Sequence, residues 1–166
     1  MLIAILSDIH DNVTNMRRAL QHAAEVGCTR LLFLGDMTDL GTFSLMLELW
    51  KHPLHIVPGN NDFYYDEFRR KATESFRHVH LYDPVADIVP GGNRRVFMMH
   101  EPERGAIHTA ESGEYDLVLY GHTHRPMQQR CGNTILANPG EIQGRYGSAF
   151  FAIYDTNAHT LQHVRL

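Results

Sequence analysis

The most constraining feature of this sequence is a series of short apolar runs, each of which is followed by polar residues. Five such runs occupy residues 1–6, 30–34, 55–57, 96–99 and 117–120. Runs of this length predict buried β-strands, and all of them are too short to cross a bilayer. Helical spacing of apolar residues over 13–26 and 42–50 separates the first three runs. This alternation predicts an α/β fold.

The second half of the chain favours antiparallel pairing. Further short strands are predicted at residues 79–81, 87–89, 127–130, 134–137, 149–154 and 160–165, with a brief helix at 106–111. A chain of this length buries about 70% of its surface on folding, which is enough for a stable core. We therefore predict a single domain over residues 1–166 in which two packed mixed β-sheets are flanked by helices.

Composition excludes several classes of protein. The net charge of −4 argues against a stable nucleic-acid partner or binding to an anionic membrane. Two cysteines exclude a disulfide scaffold and a zinc site of four thiolates, whereas twelve histidines suggest another kind of metal site. The first residues lack the basic region and cleavage site of a secretion signal, so we expect a cytoplasmic protein.

Metal-ligating residue types collect just beyond the five apolar runs. Ligands bind at the carboxyl ends of strands in open α/β sheets, so side chains that follow different strands are expected to meet. In an extended segment, residues i and i+2 point the same way, so each closely spaced pair could face one centre. The candidates are Asp8 and His10, Asp36, Asn60, His100, and His122 and His124.

The chemistry of these side chains narrows the choice of metal. Imidazole, carboxylate and amide oxygen without thiolate suit manganese, iron, zinc, nickel or cobalt. Seven ligands are too many for one tetrahedral site but suit two ions that share a bridging carboxylate. We expect two divalent transition-metal ions, with manganese first and the other four metals as alternatives.

The same residues, taken in order, resemble the motif series of the calcineurin-like metallophosphoesterases. The matching motifs are Asp8-x-His10, Gly35-Asp36, Gly59-Asn60-x-Asp62, His100 and Gly121-His122-x-His124. The resemblance extends from residue 6 to about residue 140. Without inserted cap regions, the chain is similar to the small single-domain bacterial and archaeal phosphodiesterases. The resemblance implies that Asp8, His10 and His124 hold one metal, that Asn60, His100 and His122 hold the other, and that Asp36 bridges them.

The resemblance implies hydrolysis of small phosphodiesters by a metal-bridging hydroxide, with Asn61, Asp62 and His100 at the reaction centre. Many members of the family place a histidine that protonates the leaving group where this chain has Asn61. An amide donates hydrogen bonds but cannot serve as a general acid, which favours activated diesters. Asp62 is expected to orient a neighbouring group. Alternatives are a phosphomonoesterase or nucleotide phosphatase, and a non-catalytic scaffold with the same fold. The small branch of the family also suggests a homo-oligomer.

Other residues near the motifs have an open role. Glu101 and Asp11 stand where the family usually has glycine, so Glu101 is expected to narrow the cleft or repel an anion. Asn12 is predicted to cap a helix. The turn at Asn138-Pro139-Gly140 either lies near the site or is a plain turn. The aromatic run 63–65 either lines the cleft, where it would stack on an aromatic group, or packs in part in the core.

Overall fold

Two β-sheets that pack face to face form the centre of the molecule. A computed structural model describes residues 1–166, apart from the side chains of residues 74 and 75. The first sheet has the order β11-β10-β1-β2-β3-β4, and the second has the order β5-β6-β7-β9-β8. The strands are β1 (Leu2–Leu6), β2 (Cys28–Phe33), β3 (Leu54–Ile56), β4 (Val79–Leu81), β5 (Ala86–Ile88), β6 (Val96–Met98), β7 (Leu117–Leu119), β8 (Met127–Cys131), β9 (Thr134–Asn138), β10 (Phe150–Asp155) and β11 (Thr160–Arg165).

Helices cover the outer faces of both sheets. They are α1 (Val13–Glu25), α2 (Leu40–Leu49), α3 (Tyr65–Ser75) and α4 (Ala106–Glu111), with a short 3₁₀ helix at Pro102–Arg104. Alternate residues of β1 face opposite ways: Ile3 and Ile5 lie in the core between the sheets, and Ala4 and Leu6 lie in the core beneath the helices. The prediction that the first apolar run is a strand buried on both faces is confirmed, as is the class of two mixed sheets flanked by helices.

The antiparallel pairing predicted for the second half of the chain holds for most of its strands but not for the centre of the second sheet. In the second sheet, β6, β7 and β9 pair in parallel, and only the outer strands β5 and β8 are antiparallel. β7 and β9 are buried on both faces, between the first sheet and α4, as central parallel strands require. The terminal hairpin of β10 and β11 returns to the first sheet, where β10 pairs antiparallel with β1.

Two helices differ from the sequence prediction. α2 begins at Leu40 rather than at residue 42 because the Asp39 side chain accepts hydrogen bonds from the backbone N–H groups of Gly41 and Thr42. α3 was not predicted at all. Its apolar face is narrow, since buried Tyr65, Phe68 and Ala72 lie among charged residues.

Candidate metal centre

All seven predicted ligands lie in loops that follow the carboxyl ends of parallel strands. β1, β2 and β3 of the first sheet and β6 and β7 of the second end at the same edge of the molecule. The loops that follow these strands carry, in chain order, Asp8 and His10, Asp36, Asn60, His100, and His122 and His124.

Four of the side chains form a tight cluster. Asp8, His10, Asp36 and His124 each offer one ligand atom, and these atoms lie within 4.8 Å of one another. Nε2 of His10 is 3.3 Å from Oδ2 of Asp36, and Nε2 of His124 is 3.3 Å from Oδ1 of Asp8. The rings of His10 and His124 stack, with their centroids 5.1 Å apart. Imidazole and carboxylate donors thus converge on one point.

The other three side chains join this cluster through Asp36. Nε2 of His100 is 3.5 Å from Oδ2 of Asp36. Oδ1 of Asn60 lies 3.0 Å from Nε2 of His100 and 2.9 Å from Nδ1 of His122. The seven side chains therefore form two groups of donors with the Asp36 carboxylate between them.

The donor set fits a divalent cation. Oδ1 of Asp8 and Nε2 of His10 are buried, and no described residue forms a hydrogen bond with either atom. Burial raises the pKa of the Asp8 carboxyl, although nearby His100 and the Ser7 side chain oppose this effect. Buried polar atoms without partners are costly, and a bound cation removes that cost by accepting their lone pairs. Oxygen and imidazole donors are the ligands that a first-row transition metal prefers.

The carboxyl of Asp36 has a lowered pKa, in contrast to that of Asp8. Burial alone would raise the pKa of its carboxyl, but the close His10 and His100 imidazoles and the hydrogen bond from the Asn61 backbone hold that pKa well below its ordinary value. The Asp36 contact in turn raises the pKa of His10 against the effect of burial. The charge of Asp36 is therefore retained over the whole neutral and mildly acidic range.

The extended geometry predicted for the paired ligands is wrong. Asp8 and His10 have φ angles of 54° and 41°, and His122 and His124 have φ angles of 65° and 60°, all in the left-handed region. Asp36 shares this conformation, with a φ of 60°. Within the second pair, the imidazole of His122 contacts Asn60, whereas that of His124 contacts Asp8. Left-handed turns, rather than an extended segment, direct these side chains to the centre.

Two glycines allow the loops after β2 and β3 to touch. A Cβ on Gly35, which has a φ of +98°, would collide with the backbone of Gly59. A Cβ on Gly59 would collide with the Asp36 side chain and backbone. Only the absence of both side chains lets Asp36 lie against the loop that carries Asn60.

Asp62 organises this junction. The carboxylate of Asp62 is buried, and it accepts hydrogen bonds from the backbone N–H groups of Asp36, Met37, Thr38 and Gly59 at 2.7 to 2.9 Å. Both oxygens of Asp62 therefore accept hydrogen bonds from the backbone, and this carboxylate holds the loop of Asp36 against the loop of Gly59.

Asn61 contacts the Asp36 carboxylate directly. Its backbone N–H donates to Oδ1 of Asp36 at 2.9 Å, and its side-chain Nδ2 donates to Oδ2 at 2.8 Å. The side chain is only partly buried. Asn61 therefore presents an amide donor next to Asp36. Many members of the family have a histidine, which can act as a general acid, at this position.

The residues with an open role have definite positions. Glu101 does not present a free charge to the cleft, because its Oε2 accepts from Nε of Arg104 at 2.7 Å. Asn12 caps α1, as predicted, by accepting from the backbone N–H of Asn15.

Asn138 is fully buried, and its Nδ2 donates to the carbonyl of Gly121 and to Oγ1 of Thr123. The turn at Asn138 therefore holds the loop of His122 and His124. Exposed Asp11 accepts from Oγ1 of Thr42.

Exposed aromatic side chains follow two of the loops that carry site residues. Phe63 is 81% exposed and Tyr64 is half exposed, whereas Tyr65 packs in the core. The ring of Tyr146, which is 72% exposed, lies 5.8 Å from that of His124. Sequence reasoning identified the first aromatic group but missed Tyr146 and its neighbour Glu141, which belong to no motif. In the sequence, the turn at residues 138–140, directly before Glu141, was the one feature that pointed to this segment.

The chain is similar in sequence to known phosphoesterases. The family model of the calcineurin-like phosphoesterase superfamily domain matches residues 1–159. The chain is 27% identical over 147 residues to a phosphodiesterase of Methanocaldococcus jannaschii, covering 87% of this chain and 86% of that protein. It is 25% identical over 154 residues to phosphodiesterase YfcE of Escherichia coli strain K12, covering 86% of this chain and 79% of the relative.

A solved structure of an archaeal phosphodiesterase superposes with a TM-score of 0.89 at 24% identity, with both chains fully covered, and this similarity shows the fold. The site and these matches define a metal-dependent phosphoesterase, a hydrolase of phosphate esters. The chain belongs to the calcineurin-like phosphoesterase superfamily. None of the helices in the described part of the chain has the length and apolar character needed to cross a membrane.

Proposed function

We propose that this protein is a phosphodiesterase that uses two divalent metal ions to hydrolyse small phosphodiesters. The observation that carries the proposal is the convergence of six donor side chains in two groups of three around the Asp36 carboxylate, the seventh donor. The relatives named as phosphodiesterases support the choice of a diester.

Each group of donors would hold one ion, with Asp36 shared between them. Asp8, His10 and His124 would hold one, and Asn60, His100 and His122 the other. We propose manganese, with nickel, iron, zinc or cobalt as alternatives. When bound, two such ions supply an activated water molecule and neutralise negative charge on the phosphoryl oxygens.

The protein's own side chains orient the ligands and the substrate. The carbonyl of Leu34 lies 2.6 Å from Nδ1 of His100, so that ring donates from Nδ1 and keeps the lone pair of Nε2 for a metal. The amide of Asn61, already directed at the bridging carboxylate, is placed to donate to a phosphoryl oxygen. It cannot protonate the departing alkoxide, so the substrate must carry a good leaving group.

Turnover of bis(p-nitrophenyl) phosphate by purified protein with added Mn²⁺ tests the proposal. Asp36→Asn and His100→Ala are expected to lose metal-dependent turnover. The matched controls Asp66→Asn, on the exposed start of α3, and His108→Ala, whose side chain is 86% exposed, are expected to retain it. Full activity of the Asp36 or His100 variant would reject the assigned centre.

Two further measurements examine the finer parts of the proposal. Elemental analysis of protein saturated with Mn²⁺ and then desalted is expected to give two ions per chain, and a single ion would reject the dinuclear centre. A higher kcat/KM for the aryl monoester than for the aryl diester would favour the phosphomonoesterase. No turnover, together with failure to bind metal, would favour the non-catalytic scaffold.

We also propose that residues 1–166 form one domain that assembles as a homo-oligomer. One core lies between the two sheets and the other lies beneath the helices. Both contain residues of β1, so they are expected to unfold together. A single urea transition and a mass above one chain in light scattering are the expected results. Two transitions would contradict the single domain, and a mass of 19.0 kDa would contradict the oligomer.

A further inference from the structure

A buried carboxylate lies behind one of the metal-ligating histidines. The side chain of Glu141 is almost completely buried, with 1% of the residue exposed. Its Oε2 lies 2.6 Å from Nδ1 of His124. Its Oε1 accepts from the backbone N–H of Tyr146 at 2.9 Å. Both oxygens of this carboxylate therefore have fixed partners.

The segment that carries Glu141 is attached to the strand end that carries Asp8. The backbone N–H of Ile142 donates to the carbonyl of Ser7, and that of Gln143 donates to the carbonyl of Asp8. The Nδ2 group of Asn12 donates to the carbonyl of Gln143. These hydrogen bonds join the segment of Glu141 to the loop that carries Asp8, next to the metal-ligand cluster.

The contact determines which nitrogen of His124 carries the proton. A carboxylate has only acceptors, so Nδ1 of His124 must be the donor. The lone pair is then on Nε2, the atom that lies 3.3 Å from Oδ1 of Asp8 in the ligand cluster. A negative charge behind an imidazole also strengthens the opposite nitrogen as a metal donor.

We propose that Glu141 is a positioning residue of the metal centre, which keeps His124 in its metal-binding tautomer and strengthens it as a ligand. The inference rests on the proposed metal site. Because Oε1 of Glu141 also binds the backbone of Tyr146, the same carboxylate connects the exposed aromatic side of the cleft to the metal ligand.

Metal titrations of the chelator-stripped protein test this role without measuring turnover. Nδ1 of His124 and the backbone N–H of Tyr146 both donate to Glu141. The side chain in Glu141→Gln has one acceptor oxygen for these two donors. The side chain in Glu141→Met has a similar length and no acceptor oxygen. We expect the Kd for Co²⁺, measured by calorimetry, to weaken about 10-fold for Gln and towards 100-fold for Met. The visible absorption spectrum of bound Co²⁺ is expected to change in both variants, because the ligand field of His124 changes.

The matched control is Asn15→Ala, which removes the hydrogen bond from Nδ2 of Asn15 to the carbonyl of Ile142 and leaves Glu141 in place. It is expected to keep the wild-type Kd and Co²⁺ spectrum. Glu141 variants with the wild-type Kd and spectrum would overturn the inference, and so would an equal loss of affinity in Asn15→Ala. If the wild-type protein itself binds no Co²⁺, the proposed metal site fails first, which separates the two failures.

Discussion

Replacement of Asp62 by asparagine is expected to destabilise the protein while removing only one negative charge. Asp62 accepts four backbone hydrogen bonds, whereas asparagine has one acceptor oxygen and turns an N–H₂ group towards the other donors. Two buried N–H groups then lose their partner. A hydrogen bond to a charged group contributes about 1.5–3 kcal/mol, so we expect a loss of about 3 kcal/mol after allowing for the lower cost of burying a neutral side chain.

Urea unfolding of the metal-free protein measures this loss. With a dependence of about 2 kcal/mol per molar urea, the midpoint is expected to fall by about 1.5 M. The control Asp66→Asn changes an exposed carboxylate in the first turn of α3 and is expected to cost no more than about 1 kcal/mol.

A change below about 0.5 kcal/mol in Asp62→Asn, or one equal to that of Asp66→Asn, would refute the positioning role of Asp62. Metal affinity gives a second readout, because Asp36 lies in the loop that Asp62 holds. The Kd for Co²⁺ of Asp62→Asn is expected to weaken at least tenfold, whereas that of Asp66→Asn is expected to stay unchanged.

Three further outcomes are expected. Burial, with His80 and Arg30 nearby, lowers the pKa of His55 to about 4, so the stability due to the neutral ring is complete above about pH 6.5 and is lost as the pH falls towards 4. When the pH is lowered from 7 to 5, the free energy of unfolding in urea should therefore fall by about 2 kcal/mol less for His55→Gln than for wild type. Equal decreases would contradict this. Glu101→Gly should lower the KM for the diester about 2–5-fold by releasing Arg104, and no decrease would contradict the pairing. Phe63→Ala should raise the KM for bis(p-nitrophenyl) phosphate about 5–10-fold but leave unchanged the inhibition constant of a dialkyl phosphate tested as a competitive inhibitor, and equal effects would contradict stacking.

The strand ends were predictable because their physical cause is local. A short apolar run followed by aspartate, histidine or asparagine indicates both a buried strand and the edge where ligands gather. The contacts of His100 with Asp36 and of His122 with Asn60 follow from that rule, although they join residues far apart in the chain. The rule does not specify backbone conformation, which is why the left-handed turn at Asp8 was missed.

Features that depend on distant partners were not predictable. α3 has too few apolar residues for its periodicity to stand out, and it becomes stable by packing Phe68 against Phe43 of α2. The pairing of β10 with β1 joins the two ends of the chain, and no local pattern indicates it. Glu141 has an ordinary turn before it, and only the fold brings its carboxylate to His124.

The left-handed backbone of the ligands has a consequence for the lifetime of the protein in a cell. Five of the proposed ligands adopt this conformation: Asp8, His10, Asp36, His122 and His124. At roughly 1 kcal/mol each, their combined cost of about 5 kcal/mol is a large part of the 5–15 kcal/mol that stabilises an ordinary domain. Bound ions offset this cost only while they are present. Metal starvation is therefore expected to increase the unfolded fraction, and with it degradation by proteases, so that metal supply controls the abundance of the protein as well as its activity.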